Sequence, residues 1–150
     1  RPAQIVVICG RNQRLRQQLT RQPWPVALHA LGFVANVWEW MDAADCLVTK
    51  AGPGAIAEAM ARGLPLALSG FVPGQEEGNV RYVVEQGVGA YQPQPDELAR
   101  LVRAWLEPGN PALAGMAQRG RQLAQPRAAL EVAQALMELL PGAPAASLPV

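Results

Sequence analysis

One histidine and two cysteines are all the soft ligands this sequence has, and they are scattered, which excludes a zinc site. No carboxylate pair of the Asp-x-Asp kind occurs either, so no protein-bound metal and no cofactor is expected. Excess positive charge is also missing. Thirteen basic residues stand against twelve acidic ones for a net charge of +1. A phosphate backbone needs concentrated cations, so nucleic acid is not an expected partner. No apolar run approaches the roughly 20 residues that span a bilayer. Arg1-Pro2-Ala3-Gln4 leads straight into a strand-like run, and no signal peptide is expected. Cys9 and Cys46 lie inside apolar runs and read as buried, reduced thiols of a cytoplasmic protein.

What is present is an ordinary folding composition. Half of the 150 residues are hydrophobic and 17% are charged, enough for one self-sufficient core. Short apolar runs alternate with helical patterns. Residues 4–9 are continuously apolar after Gln4, as in a strand covered on both faces. Gly10 ends that run, and a helix rich in Arg and Gln follows over 11–22 until Pro23 and Pro25 stop it. Further strands are expected at 26–33, 45–50, 64–69 and 87–91. Helices are expected at 36–44, from the Gly52-Pro53-Gly54 turn to Arg62, and over 79–86, 95–107, 111–124 and 127–140. The last of these shows a core stripe of Leu130, Ala133, Leu136 and Met137. Residues 1–140 are expected to form one domain, and the Pro- and Ala-rich residues 141–150 a frayed tail. Strands alternating with helices imply an α/β fold, a doubly wound Rossmann-like parallel sheet with right-handed crossovers.

Ligands of such sheets bind at the carboxyl ends of the strands. The loops there are Gly10-Arg11-Asn12, Phe33-Val34-Ala35, Lys50 to Gly54, and Gly70 to Asn79, and they are expected to converge on one edge. Glycines between a strand and a helix let the backbone approach an anion, which the helix's free N–H groups and dipole attract. Ile56, Ala59, Met60 and Gly63 share one face of that helix, which should pack on the sheet. Glu58 falls on another, one turn beyond Gly54. There it is either a solvated carboxylate or an acceptor for sugar hydroxyls. Gly52-x-Gly54-x-x-Ala57 matches the dinucleotide fingerprint formally, but two strands precede it and its acids, Glu76 and Glu77, lie in a loop beyond the next strand. Gln75 and Glu76 place amide and carboxylate side by side, as a hydroxyl-rich ligand requires. Asn79 either joins them or caps the next helix. Arg14, Arg16 and Arg21 read as solvated helix charges, His29 as a structural histidine, and Trp38 and Trp40 as one buried and one exposed ring.

The run from Asp45 through Lys50-Ala51-Gly52-Pro53-Gly54 to Glu58-Ala59, then Gly63-Leu64-Pro65 and Pro73-Gly74-Gln75-Glu76-Glu77-Gly78-Asn79, resembles the monogalactosyldiacylglycerol synthases. Gly10-Arg11-Asn12 and Gly32-Phe33-Val34 match in order and spacing. These enzymes share an inverting glycosyltransferase family with the lipid-linked N-acetylglucosamine transferase of peptidoglycan synthesis. Val37-Trp38 departs from the pattern, where a methionine-bearing segment would be expected.

The resemblance implies the C-terminal, donor-binding half of a two-domain GT-B transferase moving a hexose, galactose favoured, from a UDP-sugar to a diacylglycerol-type lipid. Phe33 and Val34 would hold the uracil edge through backbone groups. Gly52, Pro53 and Gly54 would sit at the diphosphate, with Gly10, Arg11 and Asn12 nearby. Glu58 would accept the ribose hydroxyls, and Gln75, Glu76 and Asn79 would read the sugar. Lys50 would either neutralise diphosphate charge or fix the turn. The general base would belong to an N-terminal domain outside this chain, which would also bind the lipid acceptor at a membrane surface. The alternatives are a stand-alone donor-binding subunit of a split transferase and half of a nucleotide-sugar epimerase or hydrolase.

Overall fold

The computed structural model describes residues 3–139, and the tail expected at 141–150 lies outside them. The chain clusters into two compact units, one up to Trp40 and one from Met41 onward.

The first unit holds β1 (Gln4–Ile8), α1 (Gln13–Arg21) and β2 (Ala27–Leu31), and α2 (Val37–Asp42) begins within it. β1 and β2 run parallel, in register from Gln4 opposite Ala27 to Ile8 opposite Leu31. α1 opens two residues later than the sequence suggests, because Asn12 caps it: its Oδ1 accepts the Leu15 N–H at 3.0 Å. Two expectations fail here. Ile5, Val6 and Ile8 of β1 are exposed rather than covered on both faces, since α1 packs against β2. His29 is exposed too, because strand alternation puts it with Ala27 on the open face of β2. Arg16 is more than a solvated charge, for its Nε donates to the Ala30 carbonyl and fastens α1 to β2. Trp38 is exposed and Trp40 half-buried.

The second unit contains a three-stranded parallel sheet in the order β3 (Leu47–Lys50), β4 (Leu66–Gly70), β5 (Gly89–Tyr91). The α/β alternation is therefore observed, with the parallel ladders divided between a two-stranded and a three-stranded sheet. The central strand supplies the core: Leu66, Ala67 and Leu68 are fully buried, as a strand covered on both faces must be. The same unit contains α3 (Pro53–Ala61), α4 (Glu77–Glu85), α5 (Pro95–Trp105), α6 (Ala112–Leu123) and α7 (Ala128–Glu138). Ala67, Leu98, Trp105 and Met116 form a cluster that ties β4 to α5 and α6.

Ile56, Ala59 and Met60 of α3 are buried as expected, and the neighbouring helix is α6, whose Gly120 lets the two backbones come close. Gly63 takes φ +63° and closes α3, its N–H returning to Met60 and that of Leu64 to Ala59. The stripe read on the last helix is not core: Leu130, Leu136 and Met137 are all exposed. Cys9 and Cys46 are free thiols, each half-buried. Burial, with the nearby Asp45 carboxylate adding to it, raises the Cys46 pKa and keeps its sulfur protonated. No helix of the described residues is long and apolar enough to cross a membrane.

Candidate functional site

In the second unit, β3 and β4 end together, so the loops that follow them start from one edge. The pairing is irregular there. Thr49 stands opposite Leu68 but Lys50 opposite Gly70, so Ser69 is an extra residue on β4. Beyond the bulge the Ala51 N–H donates to the Gly70 carbonyl at 2.8 Å.

The chain then turns into α3. Gly52 is its N-cap and Pro53 its first residue, with no side chain capping the end. Pro53 lacks an N–H, and that of Ile56 is already bonded to the Gly52 carbonyl. The donors left at this helix start are the N–H groups of Gly54 and Ala55, next to a Gly54 whose Cα faces open space. Glu58 is exposed one turn further on.

The loop after β4 folds back over this turn. Glu76 is its anchor. Its Oε1 meets the Lys50 ammonium, its Oε2 accepts the Val72 N–H at 2.8 Å, and its side chain is 9% exposed. The Lys50 contact first, and the Val72 bond second, lower the Glu76 pKa against the opposing pull of burial. Asn79 does not cap α4, which begins earlier, at Glu77, with Glu76 as N-cap. Its Nδ2 donates instead to the Ala51 carbonyl at 2.9 Å. Lys50, Gly52, Glu76 and Asn79 are thus brought together, while Pro53, Gly54, Glu58 and Gln75 remain exposed on the same unit. Sequence reasoning missed the Val72 N–H and the Ala51 carbonyl. Main-chain groups carry no residue-type signature, so only the fold discloses them.

In the first unit, the loops after β1 and β2 are also neighbours. Gly10 takes φ +56°, and the Asn12 N–H closes the turn onto Cys9. A Cβ on Gly32 would stand 3.8 Å from the Gly10 carbonyl oxygen. Arg11 is exposed, Val34 half-buried, and the Phe33 ring 75% exposed.

These loops and strands have relatives. The family described as Glycosyl transferases group 1 matches residues 1–123. This chain belongs to that family. Among its curated relatives, this group 1 chain is 43% identical over 137 residues to the chloroplastic monogalactosyldiacylglycerol synthase 1 of Arabidopsis thaliana, which covers 91% of this chain and 26% of that protein. It is 46% identical over 136 residues to the probable monogalactosyldiacylglycerol synthase 2 of Oryza sativa subsp. indica, with 91% and 29% covered. The resemblance drawn from the motifs is therefore borne out. The chain spans little more than a quarter of the length of these relatives. Among solved structures, MurG of Acinetobacter baumannii superposes with a TM-score of 0.76 at 21% identity, over 92% of this chain and 42% of that one. CalG4, the calicheamicin glycosyltransferase, gives 0.54 at 22% identity, over 94% and 46%. The α/β architecture is that of the C-terminal half of GT-B glycosyltransferases.

Proposed function

We propose that this chain is the donor-binding domain of an inverting glycosyltransferase that moves a hexose from a UDP-sugar to a diacylglycerol-type lipid. Galactose is the favoured hexose, by the names of the relatives. The observation that carries the reading is the 43–46% identity to monogalactosyldiacylglycerol synthases across 91% of the chain. Local chemistry supports it. Departure of UDP from the anomeric carbon builds negative charge on the diphosphate, which needs donors already in place. The helix start at Gly52, Pro53 and Gly54 offers two unpaired N–H groups, and Lys50 supplies a cation beside them.

Glu58, exposed one turn along, accepts the ribose hydroxyls, and the exposed Gln75 reads the sugar. Asn79 and Glu76 hold the loop that presents it. In the first unit, Phe33 and Val34 offer backbone groups to the uracil edge, with Gly10, Arg11 and Asn12 as further polar groups. The acceptor, the general base and a peripheral contact with the membrane are assigned to the rest of the enzyme.

Calorimetric titration with UDP, UDP-galactose, UDP-glucose and NAD tests this reading. UDP and its sugars should bind and NAD should not. Glu58→Ala should weaken UDP by about 1.5–3 kcal/mol, the usual worth of hydrogen bonds to a charged group. Gln75→Ala should weaken UDP-galactose and leave UDP as it was. An unchanged UDP affinity removes Glu58 from the site, and an equal loss for both ligands removes Gln75 from the sugar.

Gly54→Ala separates ligand approach from folding. Its Cβ would meet nothing within 4 Å, and alanine suits the helix better. The melting temperature should hold or rise, by an amount equivalent to about 0.4–1 kcal/mol. UDP binding should fall, because the methyl group stands where the diphosphate is to approach. Unaltered binding would move the diphosphate away from this turn.

A further inference from the structure

Lys50 is the single lysine among the chain's thirteen basic residues, and it is held from the far side of a loop. Its partner, Glu76, lies 26 positions on and is the more deeply placed of the two: the lysine side chain is 59% exposed against 9% for the glutamate. With one carboxylate oxygen on the ammonium and the other on the Val72 N–H, Glu76 is fixed at both ends. An ammonium has three donors. One goes to Glu76, and the exposed head keeps the others for a ligand.

The pair also sits at a defined place. A Cβ on Gly52 would come within 3.3 Å of Lys50 Nζ and 3.9 Å of Glu76 Oε1, so the ion pair lies against the N-cap of α3. The Ala51 N–H on Gly70 and the Asn79 amide on Ala51 hold the same turn from either side.

We infer that Glu76 is a positioning residue, which holds the Lys50 ammonium beside the first turn of α3 as the fixed cation for the donor's diphosphate and does not itself touch the sugar. The inference rests on the donor-binding reading above. A flexible lysine would have to be ordered when the nucleotide arrives, whereas one already held loses less freedom on binding. The lowered pKa of Glu76 keeps the anchor charged in the working pH range.

The lone lysine makes the test direct. Carbon-13 label at its Cε gives one lysine NMR signal from the whole chain. UDP should move that signal and uridine should not. Glu76→Gln should shift it toward the position of free lysine. The same substitution should weaken UDP and UDP-galactose equally, by roughly tenfold as for a lost charge-assisted contact, and leave uridine unaffected. Lys50→Gln, at an exposed side chain, should do the same if the glutamate variant fails to fold. The double variant should be no weaker than either single one.

Failure of the unsubstituted chain to bind either UDP or uridine would overturn the donor reading and this inference with it. UDP binding with an unmoved lysine signal would overturn this inference alone. So would a Glu76→Gln variant weakened only toward UDP-galactose, because that carboxylate would then be reading the sugar.

Discussion

Trp105→Ala should destabilise the protein by about 3–5 kcal/mol, the usual range for emptying a large aromatic site in a core. The ring is 8% exposed at the end of α5 and packs with Ala67 of the central strand, Leu98 of its own helix and Met116 of α6. Its removal leaves a void between three elements that cannot all close on it. Leu136→Ala on α7 is the control. That side chain is 60% exposed, and its loss should stay within about 0.5 kcal/mol. Urea denaturation of both variants measures the contrast. Similar midpoints would mean that the α5–α6 cluster is not the core.

Gly89→Ala should cost about 3 kcal/mol or more, and for a different reason. Glycine is not needed there for its backbone angles, since its φ is not positive. Space decides it. An added Cβ would lie 2.1 Å from the Leu66 carbonyl oxygen and 2.7 Å from the Leu66 Cβ. Both atoms belong to β4, buried and paired on both sides, so β5 must give way. Its retreat would strain the bonds from Leu66 N–H to Val88 and from Gln92 N–H to Leu68. Overpacking a well-packed core, with the rotamer and backbone shifts it forces, costs about 1–3 kcal/mol and occasionally more. A clash with the backbone of a strand paired on both sides puts this substitution at or above the top of that range. For a chain of this size that is a melting temperature lowered by roughly 6–12 °C. A shift under about 2 °C would show that β5 moves freely.

The order of elements was legible because each carries its own period and stop signals. Gly63 and Gly87 mark helix ends by their left-handed angles, and the unbroken Leu66-Ala67-Leu68 run marks the buried strand. Covering was less legible. The stripe Leu130, Leu136 and Met137 does share a helix face, as the periodicity says, but periodicity cannot state what lies opposite, and nothing among the described residues buries it. Ile5 and Val6 fail the same way.

At the candidate site the glycines, Lys50, Glu58 and Gln75 were legible as residue types in a motif. Their arrangement was not. Whether Glu76 faces outward or inward depends on Val72 and Lys50, contacts made only when two strands align. Asn79 read as a cap or a ligand; it is no cap, and its side-chain amide ties α4 to Ala51.

The extra residue at Ser69 has a practical meaning for redesign. Side chains along a strand change face at every step, so one inserted residue shifts the register of the strand end that follows it. The loop 71–79 therefore leaves from a strand end, Gly70, set one residue out of register with β3. Grafting that segment from a relative of different sugar preference, with the junction cut at Gly70, would import a loop tuned to another phase unless the recipient strand carried the same insertion. Joining at Leu68 moves the bulge and the loop as one piece.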